Sequence, residues 1–295
     1  MAAGYLPFRA EVSPPAQPLP AGACDCHFHV FEPAAAAAAD SDALAFPLAE
    51  PRSYTPTPAP LAAYRAMAAT LGLQRAVLVH PSVFGRDHAS FEHLLSSCGA
   101  WMRGVAVAFP DTPLQDIERW HRLGTRGTRC NALFDGGVDM RDLSVIVDRV
   151  RGFGWHLQVL MDVARDPQQV LQLAGLGVPL VVDHLGHAPA TQALQSRGFG
   201  NLLSLVREGR AWVKLSGQYR ISPQRYGFSD VAPLVEALLR ANPAQLVWGS
   251  DWPHPAIAAP MPDDGHLIDA LIAACSAGEL QKVLVDNPTR LYWAD

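Results

Sequence analysis

The sequence lacks any long hydrophobic run. No stretch of about 18 apolar residues occurs, and a helix needs about that length to cross a bilayer. Residues 1–22 also lack the apolar centre of a secretory signal peptide, and they are rich in proline instead. We therefore expect a cytoplasmic protein that has no membrane partner.

Basic residues are few and scattered. Lys and Arg total 23 against 28 Asp and Glu, the formal net charge is −5, and no basic block occurs. Nucleic-acid binding requires clustered Lys and Arg to neutralise phosphates. Nucleic acid is therefore excluded as the main partner, whereas a few local arginines could still bind a small acidic metabolite.

The five cysteines show neither a disulfide framework nor zinc-ribbon spacing. Cys24 and Cys26 are one residue apart, so on a strand their side chains share a face. We interpret them as small buried residues in a reducing cytosol, in preference to a disulfide or a metal pair.

Eight short runs rich in Val, Leu and Ile follow a proline-rich leader, residues 1–20. Most are continuously apolar in their first half, as expected for parallel strands covered on both faces. The runs span 23–31, 75–82, 102–109, 125–133, 154–161, 179–186, 210–217 and 245–251. Helical spacing occurs between them at 61–72, 114–124, 143–154 and 230–242.

Eight alternations of strand and helix predict an α/β fold, a single-domain (β/α)₈ TIM barrel over residues 21–295. Residues 1–20 are predicted to be an extended leader, because their prolines exclude regular helix. The long gap at 32–60 predicts an insertion after the first strand, lying over the barrel mouth.

Polar side chains stand at the C-terminal ends of these runs. They are His27, His29, His80, Ser82, Arg129, Asn131, Asp183, His184, Ser216 and Asp251. In a barrel these strand ends converge on one mouth, where active sites are built. We therefore predict one polar site at that mouth.

The first strand suggests the chemistry of this site. On an extended strand Asp25, His27 and His29 point to one side, and two imidazoles about 7 Å apart can hold a divalent cation or polarise a carbonyl. His184 could join them from the sixth run. Asp251 is costly to bury unless it is paired, binds a metal or removes a proton from water. The alternative for each histidine is a structural side chain whose hydrogen bonds are satisfied by its neighbours.

Arginines near the strand ends of an acidic protein suggest binding of a carboxylate. Arg129 and Arg220 are the main candidates, and Tyr54 and Ser82 could donate further hydrogen bonds. His187 is another candidate substrate-binding residue, although it lies further into its loop.

Three other polar residues allow a structural interpretation. Arg126 could equally form a salt bridge at the rim of the barrel. Lys214 lies within its strand and is interpreted as structural. His254 could either support the site or belong only to its loop.

Several motifs together resemble the lactonase branch of the amidohydrolase superfamily. They are DCHFHVF, YTP at 54–56, RGTRCN, DHLGH, KLSGQYR and WGSDWPHP, in this order, followed by VDNPTRLYW at 285–293. The branch includes 2-pyrone-4,6-dicarboxylate lactonases, sugar-acid lactonases and a sulfomuconolactone hydrolase. The resemblance implies a hydrolase of aromatic-compound catabolism that opens a small carboxylated lactone.

Carried over by position, the resemblance implies Asp251 as the general base for water. It places His27, His29 and His184 around the lactone carbonyl, which they would polarise directly or through a metal. It makes Tyr54, Ser82, Arg129 and Arg220 the groups that bind the carboxylates.

Two positions depart from the patterns of relatives in the superfamily. The fifth run offers Gln158 and the fourth offers no lysine, which argues against a dinuclear metal centre. One divalent metal, Zn or Mn, at His27, His29, His184 and Asp251 is then expected, or none, and no nucleotide or organic cofactor. Asp135 lies near the place where the dicarboxylate enzymes carry an arginine, so binding of a second carboxylate should be weaker there.

Two other functions fit the same residues. The first is metal-dependent decarboxylation of an unsaturated or aromatic acid, and the second is a non-catalytic barrel that binds carboxylated metabolites. A homo-oligomer is also compatible with the sequence.

Overall fold

The computed structural model describes residues 5–34, 43–133, 138–258 and 260–294. Its centre is one sheet of eight strands in sequential order, in which every neighbouring pair is parallel. Strands β1 to β8 span Cys24–Phe28, Arg75–Val79, Met102–Ala106, Thr125–Asn131, His156–Leu160, Leu180–Val182, Ala211–Leu215 and Leu246–Trp248. Each lies within the run predicted for it, and the prediction of a (β/α)₈ barrel is confirmed.

Helices connect consecutive strands and cover the outer face of the sheet. Helices α1 to α11 span Leu61–Leu71, Ala89–Cys98, Leu114–Arg122, Leu143–Val150, Gln169–Ala174, Ala190–Ala193, Arg197–Arg207, Gln218–Ile221, Ala232–Ala241, Asp264–Ala274 and Ala277–Gln281. Two π-helical turns, Lys282–Asp286 and Thr289–Trp293, follow α11. The four predicted helical segments are confirmed as α1, α3, α4 and α9. No described helix is long and apolar enough to span a bilayer.

The barrel closes where β1 meets the residues that follow β8. Phe28 forms a parallel bridge with Trp252. The Asp251 amide donates to the His27 carbonyl at 2.8 Å, and the His29 amide donates to the Trp252 carbonyl at 2.8 Å. This seam fixes the backbone of two predicted site segments against each other.

Away from the mouth, which we call the lower end, the interior of the barrel holds an apolar cluster. The cluster there consists of Cys24, Cys26, Val77, Val79, Val105, Val181, Trp212, Val247 and Tyr292. All five cysteines are free thiols and four of them are buried. The upper end of the interior is polar, so the site sits above an apolar base.

The leader and the insertion both lie near the mouth. Residues 5–20 form neither helix nor strand. The Tyr5 ring packs edge-on against Tyr54 of the insertion, with ring centroids 6.4 Å apart. Further along the leader, Ser13 donates through its amide and its hydroxyl to Asp263.

Candidate active site

The first strand changes its facing direction just before the site. Cys26 points into the barrel with Cys24, whereas Asp25 accepts hydrogen bonds from Tyr64 of α1 at 3.1 Å and from the Ser250 hydroxyl at 2.6 Å. The pairing register of β1 with β2 shifts between Asp25 and Phe28. Such an irregularity lets His27 follow Cys26 into the interior. The prediction that Asp25 faces the same way as the two histidines is therefore wrong.

Three imidazoles converge on one carboxylate. His27 Nε2 lies 3.3 Å from His29 Nε2. The Asp251 carboxylate lies 3.8 Å from His27 Nε2, 3.9 Å from His29 Nε2 and 3.9 Å from His184 Nε2. The four side chains come from the ends of β1, β6 and β8, as expected where parallel strands meet at a barrel mouth.

The other ring nitrogen of each histidine has a partner that orients the ring. His29 Nδ1 lies 2.7 Å from the Val79 carbonyl, which can only accept, so Nδ1 carries the proton. His184 Nδ1 bonds the Ser216 hydroxyl at 2.9 Å, and His27 Nδ1 lies 3.3 Å from Asp183. Each Nε2 is thereby directed toward the common space.

Burial keeps the imidazoles neutral. It lowers the pKa of His29 to about 4 and that of His184 to about 3, and it also moves the pKa of His27 well below its usual range. Near neutral pH all three rings can therefore act as ligands through nitrogen lone pairs.

These residues fit one divalent cation. One ligand atom from each of His27, His184 and Asp251 lies within 4.8 Å of the others. Imidazole nitrogens and a carboxylate oxygen are a suitable donor set for zinc. His29 Nε2 faces the same space, 3.3 Å from His27 Nε2, and can serve as a fourth ligand atom. The part of the expected metal site that the geometry supports is the His27, His184 and Asp251 triad.

A buried charged network supports His27 from below. Asp183 accepts from Arg129 Nε at 3.0 Å and from Gln158 Nε2 at 3.1 Å. Lys214 donates to Gln158 Oε1 at 2.7 Å, and its Nζ lies 3.3 Å from His27 Nδ1. Burial alone would raise the pKa of Asp183, but contacts with His27, Arg129 and Lys214 hold it well below its usual range.

Asp251 accepts further hydrogen bonds from residues of α8. Its Oδ2 accepts from Arg220 Nε at 2.6 Å and from the Tyr219 hydroxyl at 2.5 Å. His254 bonds Tyr219 through Nδ1 at 3.0 Å and lies 3.1 Å from Asp264 through Nε2. Burial would raise the pKa of Asp251, but the adjacent Arg220 holds it well below its usual range. Asp251 is thus an anion near neutral pH.

Left-handed backbone is concentrated at this mouth. Of the seven described non-glycine residues with positive φ, six lie in the loops after β6 and β8, and the seventh is Phe228 (45°) after α8. The six are His184 (49°), Leu185 (57°), His187 (52°), Asp251 (64°), His254 (59°) and Ala256 (62°). An L-residue in this region costs about 1–2 kcal/mol. The backbone of the loops after β6 and β8 is therefore held in an unfavourable conformation that orients these residues.

One pocket at the mouth gathers most of the predicted site residues. Its described lining consists of His29, Tyr54, Ser82, Arg129, Asn131, Leu160, His184, Arg220, Asp251, Pro255 and Ala256. Asn131 was noted only as a strand-end residue in the sequence. His187 lies outside this pocket, in an adjoining groove. Asp135 falls outside the described residues.

Part of the site does not stand out in the sequence. Lys214 was interpreted as merely structural, although it lies two residues before Ser216 and so on the same face of β7. Tyr219 and Gln158 received no role. Arg126 bonds the His121 and Thr125 carbonyls and lines a separate cavity, which also contains Trp212 of the lower interior.

Comparison with known proteins identifies the family. A family model described as amidohydrolase matches residues 24–293. The chain is 33% identical to 2-pyrone-4,6-dicarboxylate hydrolase of Comamonas testosteroni, over 99% of this chain and 97% of that protein. It is 33% identical to 4-sulfomuconolactone hydrolase of Rhizobium radiobacter, over 96% and 94% of the two chains.

A solved structure agrees with these matches. A candidate 2-pyrone-4,6-dicarboxylic acid hydrolase from Pseudomonas putida superposes with a TM-score of 0.78 and 30% identity, over 93% of this chain and 98% of that one. The predicted membership is confirmed: the chain belongs to the amidohydrolase family.

Proposed function

We propose that this protein hydrolyses a small lactone bearing a carboxylate, with Asp251 as the general base. The observation that carries the proposal is the convergence of three neutral imidazoles on an ionised Asp251, in a pocket also lined by Arg129 and Arg220. The lactone hydrolases among the relatives support the same substrate class.

Binding would begin with the substrate carboxylate. Among the described residues Arg129 bonds through Nε to Asp183, so with respect to these its terminal nitrogens remain to bind an anion at the pocket wall. Arg220 can exchange Asp251 for the incoming carboxylate, because a guanidinium binds either in the same way. Tyr54 and Ser82 line the same pocket and can donate hydrogen bonds. Releasing Asp251 from Arg220 would make it a stronger base.

The chemical step needs one water and one proton transfer in each direction. Asp251 removes a proton from water, and the water oxygen bonds to the lactone carbonyl carbon. The bond from that carbon to the ring oxygen then breaks, and Asp251 returns the proton to the ring oxygen. The products are a hydroxyl and a second carboxylic acid on one open chain.

The carbonyl oxygen becomes negative during this step and needs a positive partner. His29 presents an Nε2 lone pair, which cannot donate to an oxyanion. When Lys214 donates to His27 Nδ1, His27 presents Nε2–H and can donate. A divalent cation held by His27, His184 and Asp251 would supply positive charge for the carbonyl oxygen and acidify water.

The test is Asp251→Asn, assayed against pyrone, muconolactone and sugar-acid lactones. We expect kcat to fall by roughly 10²–10⁴-fold because the base is lost. The open-chain product should still raise the melting temperature, since the arginines remain. Asp148→Asn, an exposed control, should leave kcat unchanged. Unaltered turnover by Asp251→Asn would refute the assignment of the base.

Metal-dependent decarboxylation is the second candidate, because the His27, His184 and Asp251 triad fits a cation. Chelator-treated enzyme with and without added Zn²⁺ or Mn²⁺ separates the two. Carbon dioxide release that requires the metal would indicate a decarboxylase, and ring opening without carbon dioxide would indicate the lactonase. Stabilisation by carboxylates with no turnover of any compound would indicate a non-catalytic barrel.

A further inference from the structure

A groove of about 420 Å³ opens beside the pocket that contains Asp251. Its walls come from the loop after β6, from α8 with the loop that follows it, and from the loop after β8. Its described lining includes His187, Arg220, Ser222, Arg225, Phe228 and Ala256. Arg220 and Ala256 line both spaces, so the pocket and the groove share one wall.

Arg220 is the charged residue of this shared wall. The pocket at Asp251 has a volume of only about 30 Å³, well below the roughly 300–1,000 Å³ of typical small-molecule sites. Within it, the Arg220 guanidinium donates to Asp251 at 2.6 Å. A substrate carboxylate that draws Arg220 away from Asp251 would join the narrow pocket to the wide groove.

The groove itself has a positive lining. Arg225 is exposed at its rim and has no hydrogen bond or ion pair within the described part of the chain. No carboxylate occurs among the described lining residues. The nearby Asp230 accepts the Ser222 hydroxyl at 2.6 Å and does not line the groove. A concave surface with one sign of charge concentrates ligands of the opposite sign.

The groove is also partly apolar. Phe228 offers a ring face at the wall, and Pro223, Ile257 and Pro260 complete that side. Ligand sites commonly combine an apolar wall with a few directed polar groups. The groove can therefore hold a short carbon chain or ring that ends in an anionic group.

We propose that this groove binds the distal, anionic end of the substrate, with Arg225 as its partner. The inference rests on the lactone hydrolysis proposed above and specifies the substrate further. The scissile ring lies at Asp251, one carboxylate engages Arg129 and Arg220, and an arm runs past Ala256 to a second carboxylate at Arg225. Arg225 is a specificity-determining residue and takes no part in the chemical step.

The experiment compares two lactones that share a ring carboxylate, one with and one without a second carboxylate on a short arm. Both are first assayed with the unaltered enzyme, which tests lactone hydrolysis itself. Arg225→Gln is then measured with each. We expect kcat/KM for the two-carboxylate lactone to fall about tenfold through KM, with kcat retained, as for loss of a charged hydrogen bond at a partly exposed site. The value for the one-carboxylate lactone should change less than about twofold.

Arg210→Gln is the matched control, because Arg210 is exposed and lies next to the N-terminal end of β7, at the opposite end of the barrel. Arg210→Gln should leave kcat/KM unchanged for both lactones. An equal loss for both lactones, or no loss for either, would overturn the assignment of the groove. Absence of turnover by the unaltered enzyme would instead overturn lactone hydrolysis. A second readout is the shift in melting temperature caused by the open-chain product of the two-carboxylate lactone, which should shrink in Arg225→Gln alone.

Discussion

Lys214 is a fully buried cation whose charge is balanced within the site. Its Nζ donates to the Cys26 carbonyl at 2.8 Å and to Gln158 at 2.7 Å, and it lies 3.7 Å from Asp183. Burial lowers its pKa. A buried charge persists only where such partners surround it, so each partner depends on the others.

The change Lys214→Met should destabilise the protein by about 3 kcal/mol. It keeps the length of the side chain but leaves buried acceptors without a donor and removes one cation from Asp183. Urea unfolding followed by circular dichroism measures the effect. Lys282→Met, at an exposed position, should stay within about 0.5 kcal/mol of the parent. Equal stabilities of the two variants would show that the ammonium group of Lys214 contributes nothing to the free energy of unfolding.

The sequence predicted the histidines and Asp251 because their strand-end positions are visible in the runs. It could not predict Asp25, because a register irregularity in β1 changes which side chains face inward. Strict alternation along a strand fails at such a point. The hydrogen bond from Tyr219 to Asp251 was also not predictable from the sequence, because it depends on the path of the chain after β7.

A stack of three rings joins neighbouring elements on the outside of the barrel. His80 after β2 stacks on His88 at the start of α2, with centroids 3.9 Å apart, and His88 stacks on Trp120 of α3 at 4.1 Å. His88 donates through Nδ1 to the Arg86 carbonyl and accepts the Val107 amide at Nε2. If Nε2 were also protonated, its hydrogen would point at the hydrogen of the Val107 amide, so this bond would be lost. Burial lowers the pKa of His88 to about 4.

This arrangement predicts a loss of stability in acid. Unfolded His88 gains a proton as pH falls below about 6.5, whereas the folded residue resists it until about pH 4. The unfolded state therefore binds more protons in this window, and the free energy of unfolding decreases as pH falls. Between pH 6.5 and 4 the free energy of unfolding should therefore fall less in His88→Gln than in the parent, by roughly 2–3 kcal/mol.

Urea titrations at a series of pH values measure this difference. His266→Gln, which removes an exposed histidine from α10, is the control and should follow the parent. Identical pH profiles for His88→Gln and the parent would contradict the prediction.

Secondary structure was predictable where periodicity was strong. The helices α1, α3, α4 and α9 and all eight strands fall within the predicted segments. The short helix α8 was not predicted, because its four residues are too few to show a helical period. It nevertheless carries Tyr219 and Arg220, which bind Asp251.

At the scale of the whole barrel, closure depends on close contact at the seam between β8 and β1. Gly249 follows β8, and a Cβ atom there would lie 2.7 Å from His27 Cβ and 2.9 Å from the His27 amide nitrogen. Backbone on both sides prevents an easy adjustment, so Gly249→Ala should destabilise the protein by about 1–3 kcal/mol. Displacement of His27 should also lower kcat, measured with the lactone found active.

A glycine in open space provides the comparison. Apart from its chain neighbours and its own helix backbone, no described residue places a heavy atom within 4 Å of a Cβ added to Gly200 in α7. Gly200→Ala should stabilise the protein by about 0.5–1 kcal/mol, because alanine favours the helix. If Gly249→Ala were equally harmless, the seam would be looser than the structure shows.

The barrel was predictable as a whole because eight alternations of strand and helix leave few other arrangements. The groove beside the site was not predictable, since three loops distant in sequence build it. The boundary between the leader at 1–20 and the barrel remains a prediction.

The left-handed residues at the mouth have a practical consequence for protein engineering. Glycine would relieve the backbone at His184, Asp251 and His254 by about 1–2 kcal/mol each. It would also leave their buried partners unpaired, among them Arg220 and Tyr219 at Asp251, which costs at least as much. A library built for heat resistance therefore gains nothing at these three positions and loses groups that the reaction uses or that position the base, so their codons should be left unmutated.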